Sequence, residues 1–341
     1  MIYYLSIPIT FLLSFLIVYA IKNRLSYYLM DIPNERSSHV KPTPRGGGLG
    51  FVLAFLTTSF ILYWQFSPIS TNSINITHIW LVLLPLTVVG LWDDRWQVSN
   101  KLRYLVQLVA GSSAVFLFGI FPQPWLTNLG VIGLIIAIFL TVFGFTVLVN
   151  YYNFMDGLDG LLAGIIMVQL GFLSLMGNQP LWFLLMAAVG GFLCWNWSPA
   201  KIFMGDSGST VLGAVVAIAL LNYSHQGTVV EAWSALTIIL PIAGDTTYTL
   251  ICRAMRGENI FQAHRTHLYQ RLNQSGWSHA RVASSYILFN LAIAINVFVF
   301  AGWGAWMNIL MTTILIVWIE IYLQKVNQNV NKVITVTKGE N

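Results

Sequence analysis

Residues 129–148 read LGVIGLIIAIFLTVFGFTVL, an apolar run without one charged side chain. A helix needs about 20 mostly apolar residues to cross the hydrocarbon core of a bilayer, so this run predicts a membrane-spanning helix. Comparable runs recur along the chain, which is 57% hydrophobic and only 9% charged. Soluble domains carry roughly 25% charged residues, and the composition therefore excludes a water-soluble globule.

The predicted fold class is an all-α polytopic membrane protein with about eleven transmembrane helices. The third segment is short, so ten helices remain an alternative. We expect a single membrane domain over residues 1–325 and a C-terminal tail over residues 326–341. The predicted segments are 3–21, 47–64, 78–91, 102–121, 129–148, 158–176, 180–195, 209–223, 232–252, 282–301 and 305–323.

The basic residues are completely segregated between alternate connections. All 17 Lys and Arg residues fall in every second connection or in the C-terminal tail, and the connections in between hold none. Loops kept in the cytoplasm hold the excess of Lys and Arg, which predicts the N-terminus outside and the C-terminus inside. The net charge of +5 then belongs to one membrane face. It suits anionic lipids or substrates there, and no basic run with interleaved aromatics indicates a nucleic acid partner.

Acidic residues at the inner ends of the predicted helices are the unusual feature of the chain. A solvated helix end explains any one of them, but all of them together favour a functional site at this face. Asp245 lies inside an otherwise apolar helix, where an ionisable group is costly and either functional or structurally paired. Asn150, Asn153, Asp156 and Asp159 recur every three residues, which predicts one stripe on a helix. The six aspartates are Asp93, Asp94, Asp156, Asp159, Asp206 and Asp245.

Basic residues of the cytoplasmic connections, two of them just before the three glycines of KPTPRGGG, could hold phosphate groups at the same face. Arg binds phosphate oxygens in a two-point geometry, and a glycine-rich backbone can present N–H groups to an anion. A positive-inside flank remains the structural alternative for these cations. Carboxylates beside phosphate-binding cations suggest Mg²⁺, or Mn²⁺ in its place, because Mg²⁺ commonly uses one or two carboxylates plus substrate phosphates. The candidates are Lys41, Arg45, Lys101, Arg265 and His267.

Five stretches together carry a family resemblance. They are DIPNERSSHVKPTPRGGGLGF, LWDDRWQVSNKLR, NYYNFMDGLDGLLAG, NWSPAKIFMGDSGS and PIAGDTTYTLICRAMRGENIFQAHRTHLYQRL. In this order they resemble the cytoplasmic motifs of the polyprenyl-phosphate N-acetylhexosamine-1-phosphate transferases. That superfamily, glycosyltransferase family 4, includes phospho-MurNAc-pentapeptide translocase and undecaprenyl-phosphate GlcNAc-1-phosphate transferase. The chain looks closest to the branch that initiates O-antigen or capsule synthesis.

The resemblance implies a multi-pass enzyme of the bacterial inner membrane with its active site on the cytoplasmic face. It would transfer N-acetylhexosamine-1-phosphate from a UDP-sugar to polyprenyl (undecaprenyl) phosphate and release UMP. Asp93 and Asp94 match the pair implicated in handling the lipid phosphate, and Asp206 matches the magnesium ligand. Phe203 matches the position that stacks on uracil. The remaining nucleotide-pocket matches are Asn153, Asp156, Gly157, Leu158, Asp159 and Asn196.

One departure from the family pattern concerns the sugar. Where relatives carry a run of histidines, this chain has His267, Leu268, Tyr269 and Gln270. If Tyr269 and Gln270 face the sugar, neutral donors replace potentially cationic ones, which would change the accepted hydroxyl or acetamido pattern. We therefore predict a UDP-N-acetyl-6-deoxyhexosamine donor of the fuco or quinovo form, with UDP-GlcNAc as the alternative.

Two other functions compete with this interpretation. A CDP-alcohol phosphatidyltransferase also uses aspartate and glycine in a DG motif, but it expects an arginine that DGLDGLLAG lacks. A transporter or lipid flippase would place ionisable groups near the bilayer midplane, whereas all candidates except Asp245 lie at one face. The sequence leaves the oligomeric state open, a homodimer included.

Overall fold

The computed structural model describes residues 2–24, 29–33, 41–66, 75–260, 262 and 264–339, with side chains between residues 5 and 329. Most of these residues are helical. A short antiparallel pair of strands, β1 (Met30–Asp31) and β2 (Thr43–Pro44), lies between the first two helices. The helices are α1 (Ile2–Arg24), α2 (Gly47–Phe66), α3 (Ile76–Trp96), α4 (Asn100–Phe118), α5 (Gly130–Phe154), α6 (Leu161–Met176), α7 (Leu181–Asn196), α8 (Asp206–Ser224), α9 (Val229–Leu236), α10 (Leu240–Met255), α11 (Leu268–Gln274), α12 (His279–Phe300) and α13 (Gly302–Gly339).

Each of the eleven predicted segments coincides with a helical part of the chain. Within the described ranges, nine helical stretches are long and apolar enough to cross a membrane. The other two segments are α6 and α7, apolar helices of 16 residues each. Both lie in the interior of the bundle, where α6 packs on α7 and α12, and α7 packs on α1. The fold is therefore that of a polytopic helical membrane protein.

Three segments differ from their predicted form. The third helix is longer than predicted, because α3 continues through both aspartates of LWDDRW to Trp96, which removes the reason for a count of ten. The ninth segment is broken into α9 and α10 by a 3-10 turn, Thr237–Ile239, just before Pro241. Proline lacks an N–H group and therefore interrupts the α-helical ladder. The predicted tail is helical as far as residue 339, as the end of α13.

Helix α8 lies at the centre of the bundle and is almost completely buried. Its first turn meets the first turn of α2, where a Cβ atom on Gly48 would overlap the Cα atom of Gly208. Small residues let helix backbones approach this closely. Phe203 donates its N–H group to Pro44 and accepts one from Gly47, which ties the approach to α8 to the start of α2. The connections that carry the predicted site residues therefore meet at one end of the bundle.

Candidate active site

The start of α8 is capped by a carboxylate from another helix. Asp94, near the end of α3, accepts hydrogen bonds from the N–H groups of Asp206 (2.8 Å) and Ser207 (3.2 Å) and from the Ser207 hydroxyl group (2.9 Å). The first N–H groups of a helix have no partner inside it, so Asp94 satisfies two of them. Gly205 has φ +78°, and a Cβ atom there would lie 2.6 Å from the Asp94 carboxylate oxygens. Asp94 thus fixes the position of Asp206.

Arg103 joins the two more accessible carboxylates of this cluster. Its Nη1 atom lies 2.7 Å from Oδ2 of Asp93, and its Nη2 atom lies 3.1 Å from Oδ2 of Asp206. Nη2 is also 3.4 Å from the Asn153 side-chain oxygen. The Asp206 side chain is 25% exposed and that of Asp93 is 11% exposed, so Asp206 is the more open to a ligand. Arg103 was not among the predicted site residues, because it looks like an ordinary cation of a cytoplasmic flank.

The predicted helical stripe is only partly present. Helix α5 ends at Phe154, so Asp156 and Asp159 lie in a loop and not on the helix with Asn150 and Asn153. The side chain of Asn150 instead bonds to Gln107 of α4 at 2.7 Å. The loop continues to Gly160, the N-cap of α6, which adopts φ +72°, a conformation that favours glycine. The prediction of one continuous stripe is therefore wrong.

Asp156 and Asn153 still lie beside the cluster at the start of α8. The Asn153 amide group donates to the Ser209 hydroxyl group at 3.0 Å. Burial, together with the charges of Asp206 and Asp94, raises the pKa of Asp156 well above its usual value. An added cation would relieve this repulsion, because it favours the charged carboxylate.

Asp159 is held by a histidine that the sequence reasoning did not select. Its Oδ2 atom lies 3.2 Å from Nδ1 of His279, the first residue of α12, and accepts the Ala200 N–H group at 3.1 Å. Burial raises the pKa of Asp159, but His279 and the Ala200 N–H group outweigh this and hold it below its usual value. Asp159 is thus ionised at neutral pH. No spacing in the sequence pairs residue 279 with the DGLDG loop, so nothing pointed to His279.

The other predicted nucleotide-pocket residues differ in their exposure. Asn196 is buried and braces two loops, since its oxygen accepts the Gly160 N–H group (3.0 Å) and its amide donates to the Ile202 carbonyl (3.0 Å). Leu158 is also buried. Phe203 is partly exposed, as a residue that stacks on a base must be.

The predicted phosphate-binding cations are not all brought to the cluster. Arg45 is bonded to Asp31 at 2.7 Å. Burial lowers the pKa of Arg45, but the charges of Asp31, Asp94 and Asp206 outweigh it and raise this pKa, which places Arg45 within electrostatic reach of the cluster. Lys41 and Lys101 are exposed, and within the described ranges neither joins the ion pairs around Asp206.

The loop between α10 and α12 corrects the expectation about sugar contacts. Tyr269 is fully buried, and its hydroxyl group donates to the Phe154 carbonyl at 2.8 Å. Gln270 is buried as well, and its side-chain oxygen accepts the His267 N–H group at 3.3 Å. Both side chains bond to the protein, so the expectation that they face a sugar is wrong. Both side chains are buried because the N–H groups in the first turn of α11 donate to the Asp245 carboxylate of α10.

The histidines of this loop are also withdrawn from solvent. His267 is 3% exposed, and its ring lies near those of His264, Phe154 and Tyr269. Burial, with the nearby His267 and Arg253, lowers the pKa of His264 to about 4. His264 is therefore neutral at physiological pH. Arg265 lies in the same loop and is partly buried.

The donor set at the cluster suits a hard divalent cation. Among the described residues, no group of three or more His, Cys, Asp or Glu side chains is arranged to hold a metal ion. Mg²⁺ does not require one, because it commonly binds through one or two carboxylates together with substrate phosphates and water. Asp206 fits that mode of binding, because its carboxylate is partly exposed and its charge disfavours ionisation of the neighbouring Asp156, which a cation would offset.

An apolar cavity of about 320 Å³ lies between α5, α8 and the broken helix α9–α10. It reaches Tyr151 of α5 at one end, two residues before Asn153 of the cluster, and Trp125 and Trp233 at the other. Gly144 lines it, and a Cβ atom there would meet nothing within 4 Å. The cavity could accommodate part of a hydrocarbon chain next to the acidic cluster.

The fold and the site together define a multi-pass membrane protein with a cluster of aspartates and arginines at one end of its helical bundle, beside an apolar cavity. A family model for glycosyl transferase family 4 matches residues 76–224, which include both aspartates of α3 and Asp206. The chain is 30% identical to a probable undecaprenyl-phosphate N-acetylglucosaminyl 1-phosphate transferase of Bacillus subtilis, over 91% of this chain and 88% of that protein.

Two further relatives also match most of this chain. A decaprenyl-phosphate N-acetylglucosaminephosphotransferase of Mycobacterium tuberculosis is 32% identical over 73% of this chain and 70% of its own. A phospho-N-acetylmuramoyl-pentapeptide-transferase of Deinococcus radiodurans is 30% identical over 76% of this chain and 86% of its own. This chain therefore belongs to glycosyl transferase family 4, and it is a membrane-bound transferase that acts on a polyprenyl phosphate.

Proposed function

We propose that the protein transfers N-acetylhexosamine-1-phosphate from a UDP-sugar to undecaprenyl phosphate, as the initiating step of O-antigen, capsule or another cell-envelope glycan. The lipid phosphate would attack the β-phosphorus of the UDP-sugar, UMP would leave, and a lipid-linked pyrophosphate sugar would form. The observation that carries this proposal is the Arg103-bridged pair Asp93 and Asp206, next to an apolar cavity that reaches the same end of the bundle.

Each aspartate of the cluster has a different role in this proposal. Asp206, as the open carboxylate, is the proposed Mg²⁺ ligand, and bound Mg²⁺ would neutralise the donor pyrophosphate and the leaving UMP. Asp93 accepts bonds from Arg103 and from the Val98 N–H group (2.6 Å), which supports a positioning role over that of a base. A dianionic phosphate needs little help from a base near pH 7. Asp94 holds the start of α8.

The nucleotide is proposed to bind where the DGLDG loop meets the approach to α8. Phe203 would stack on the uracil ring, and Asp156 and Asp159 would line the pocket through which the donor enters. Arg45 would contact phosphate, since its charge already lies within reach of Asp94 and Asp206. The polyprenyl chain would occupy the apolar cavity beside α5.

Two kinds of donor sugar are candidates, a 6-deoxy N-acetylhexosamine and GlcNAc. A 6-deoxy donor is favoured only if Tyr269 and Gln270 face the sugar, and both are buried. Two of the relatives above are named for N-acetylglucosamine. We therefore propose UDP-GlcNAc as the first donor to test, with the fuco and quinovo forms as the alternatives.

The proposed orientation places the acidic cluster in the cytoplasm of a bacterial inner membrane, with the N-terminus outside and the C-terminus inside. The segregation of all 17 basic residues supports it. Single cysteines at Gln262 and at Asn128, in a cysteine-free variant, should react with a membrane-impermeant maleimide from inside and from outside, respectively. The reverse pattern would overturn the cytoplasmic site. Asn72, another candidate outer position, lies outside the described residues.

The decisive experiment offers the purified protein a panel of UDP-N-acetyl sugars with undecaprenyl phosphate and Mg²⁺. Formation of a lipid-linked pyrophosphate sugar and release of UMP are expected. Labelled UMP should exchange into the UDP-sugar, because the reaction is reversible. This exchange should require the lipid, because UMP can regenerate the UDP-sugar only from the lipid-linked pyrophosphate sugar. A transporter or flippase would move a substrate without producing UMP, and that result would refute the proposal.

A further inference from the structure

Asp245 is a buried acid inside α10 whose carboxylate is fully engaged by the protein. The Leu268 N–H group donates to Oδ1 at 2.8 Å, and the Tyr269 N–H group donates to Oδ2 at 3.0 Å. The Tyr286 hydroxyl group of α12 donates to Oδ2 at 2.6 Å. The side chain is 2% exposed, so no room is left for a substrate. One carboxylate thus joins α10, α11 and α12.

The bonds to Asp245 fix the first turn of α11. The N–H groups of Leu268 and Tyr269 open this seven-residue helix and would otherwise lack partners in a buried position. A carboxylate at a helix N-terminus both accepts these bonds and complements the positive end of the helix dipole. So short a helix is not stable alone, because helix formation needs a costly first turn. Its position therefore depends on Asp245.

Tyr269 carries that position to the DGLDG loop. Its hydroxyl group donates to the carbonyl of Phe154, the last residue of α5, two residues before Asp156. The same hydroxyl group occupies the space where Gly157 lacks a Cβ atom. The His267 ring lies 5.7 Å from the ring of Tyr269 and 6.1 Å from that of Phe154. A displacement of α11 would therefore move both His267 and the loop.

We propose that Asp245 is a positioning residue for the donor substrate, a role that rests on the function proposed above. With Tyr286 it holds the first turn of α11 in place, and through Tyr269 it sets the geometry of the 156–159 loop. Its Oδ1 atom also lies 3.5 Å from Nδ1 of His267, so it positions that ring directly. It touches no reacting atom. Its replacement should weaken use of the UDP-sugar and leave the proposed site of the polyprenyl acceptor intact, because Ala243 of α10 lines that cavity but Asp245 does not.

The test is a pair of near-isosteric changes, Asp245→Asn and Tyr286→Phe. The Asp245→Asn amide cannot accept at both of its ends, so an N–H group or the Tyr286 hydroxyl group loses its partner. Loss of a hydrogen bond to a charged group corresponds to roughly a 10- to 100-fold effect. We expect KM for UDP-GlcNAc to rise by about that factor in Asp245→Asn, and by a smaller factor in Tyr286→Phe. KM for undecaprenyl phosphate should change by less than about twofold.

A third variant and a control separate positioning from general damage. Tyr269→Phe cuts the link to Phe154 but keeps the cap on α11, and it should reproduce the selective rise in donor KM. Combined with Asp245→Asn it should add little, because both act along one path. Thr312→Val is the control. This hydroxyl group is buried near Gly244 of α10 but bonds to the Asn308 carbonyl of its own helix, so donor KM should not change.

The outcomes distinguish failure of the proposed transferase function from failure of the positioning role of Asp245. If the wild-type protein releases no UMP from any donor, the proposed function fails. If it does, but the folded variants show an unchanged donor KM, or equal changes for donor and acceptor, the positioning role of Asp245 fails and the proposed function stands. If Asp245→Asn does not fold, Tyr286→Phe and Tyr269→Phe decide by the same criterion.

Discussion

The Arg103 guanidinium group lies 3.1 Å from the Asp206 carboxylate. Its other terminal nitrogen lies 2.7 Å from Asp93, so one cation holds together acids from α3 and α8. Arginine suits this role because its planar, permanently charged group can bond two carboxylates at once. Without that cation, two carboxylates this close would repel each other and move apart.

Arg103→Gln should therefore lower turnover while leaving the protein folded. Without the guanidinium group, Asp93 and Asp206 lose their spacing, and a misplacement of about 1 Å in a reactive geometry can cost roughly 100-fold in rate. We expect kcat to fall by about that factor. Arg103→Lys should recover only part of it, because an ammonium group is a point charge. Arg24→Gln, at an exposed position at the end of α1, is the control. Equal activity of Arg103→Gln and Arg24→Gln would contradict the bridging role.

Asp206→Asn tests the proposed metal site, because it keeps the size of the side chain and removes its charge. Turnover should fall by orders of magnitude, and the concentration of Mg²⁺ needed for half-maximal activity should rise. Elution from a sizing column should stay unchanged, since the Asp94 cap uses the backbone of residue 206 and not its side chain. Near-normal activity at the usual Mg²⁺ concentration would show that Asp206 is not the ligand.

The parts of this structure that follow from local patterns were predictable, and those that depend on distant partners were not. Apolar runs indicated where all eleven segments lie, and acids at alternate helix ends indicated one shared site. Neither pattern shows that His279 reaches Asp159 or that Arg103 reaches Asp206, because these contacts depend on how helices distant in sequence pack together. Tyr269 is buried for the same reason, since Asp245 draws α11 inward.

Asp156→Asn should make the protein more stable at neutral pH and inactive. The pKa of Asp156 is raised in the folded protein, so the folded state binds more protons than the unfolded state. Stability therefore falls as the pH rises from the unfolded pKa towards the folded pKa, because the folded protein must either keep this proton or ionise the buried carboxyl group at a cost. Removing the charge removes that cost.

The measurement is the apparent Tm in detergent as a function of pH. The variant should unfold at a higher temperature than the wild type at pH 8, and the difference should shrink as the pH is lowered and the wild-type carboxyl group takes up its proton. Added Mg²⁺ should raise the Tm of the wild type more than that of the variant. A variant that is less stable than the wild type at every pH would contradict the repulsion inferred for Asp156.

His279→Ala should make donor binding sensitive to acid. His279 helps to hold the pKa of Asp159 below its usual value, whereas burial acts in the opposite direction. Without the imidazole group, burial is less opposed, and the pKa of Asp159 should rise. KM for the UDP-sugar should then increase as the pH falls from 7 to 5 in the variant, more steeply than in the wild type. His225→Ala, remote at the end of α8, is the control, and parallel pH profiles for all three proteins would refute the coupling.

Gly144→Leu should block the proposed path of the polyprenyl chain. Gly144 faces the apolar cavity, and a Cβ atom there meets nothing within 4 Å, so a larger side chain can enter the cavity without displacing its neighbours. Leucine also favours helix formation more than glycine does, so α5 should not be weakened. The new side chain would exclude a few methylene groups of the lipid, at about 0.8 kcal/mol each. KM for undecaprenyl phosphate should rise about tenfold or more, whereas KM for the UDP-sugar should not change.

Ile135→Phe adds bulk to an exposed position of the same helix outside the cavity and should leave both constants unchanged. If Gly144→Leu behaves like Ile135→Phe, the acceptor chain does not occupy this cavity, and it must approach the Asp93 and Asp206 carboxylates from another side of the bundle.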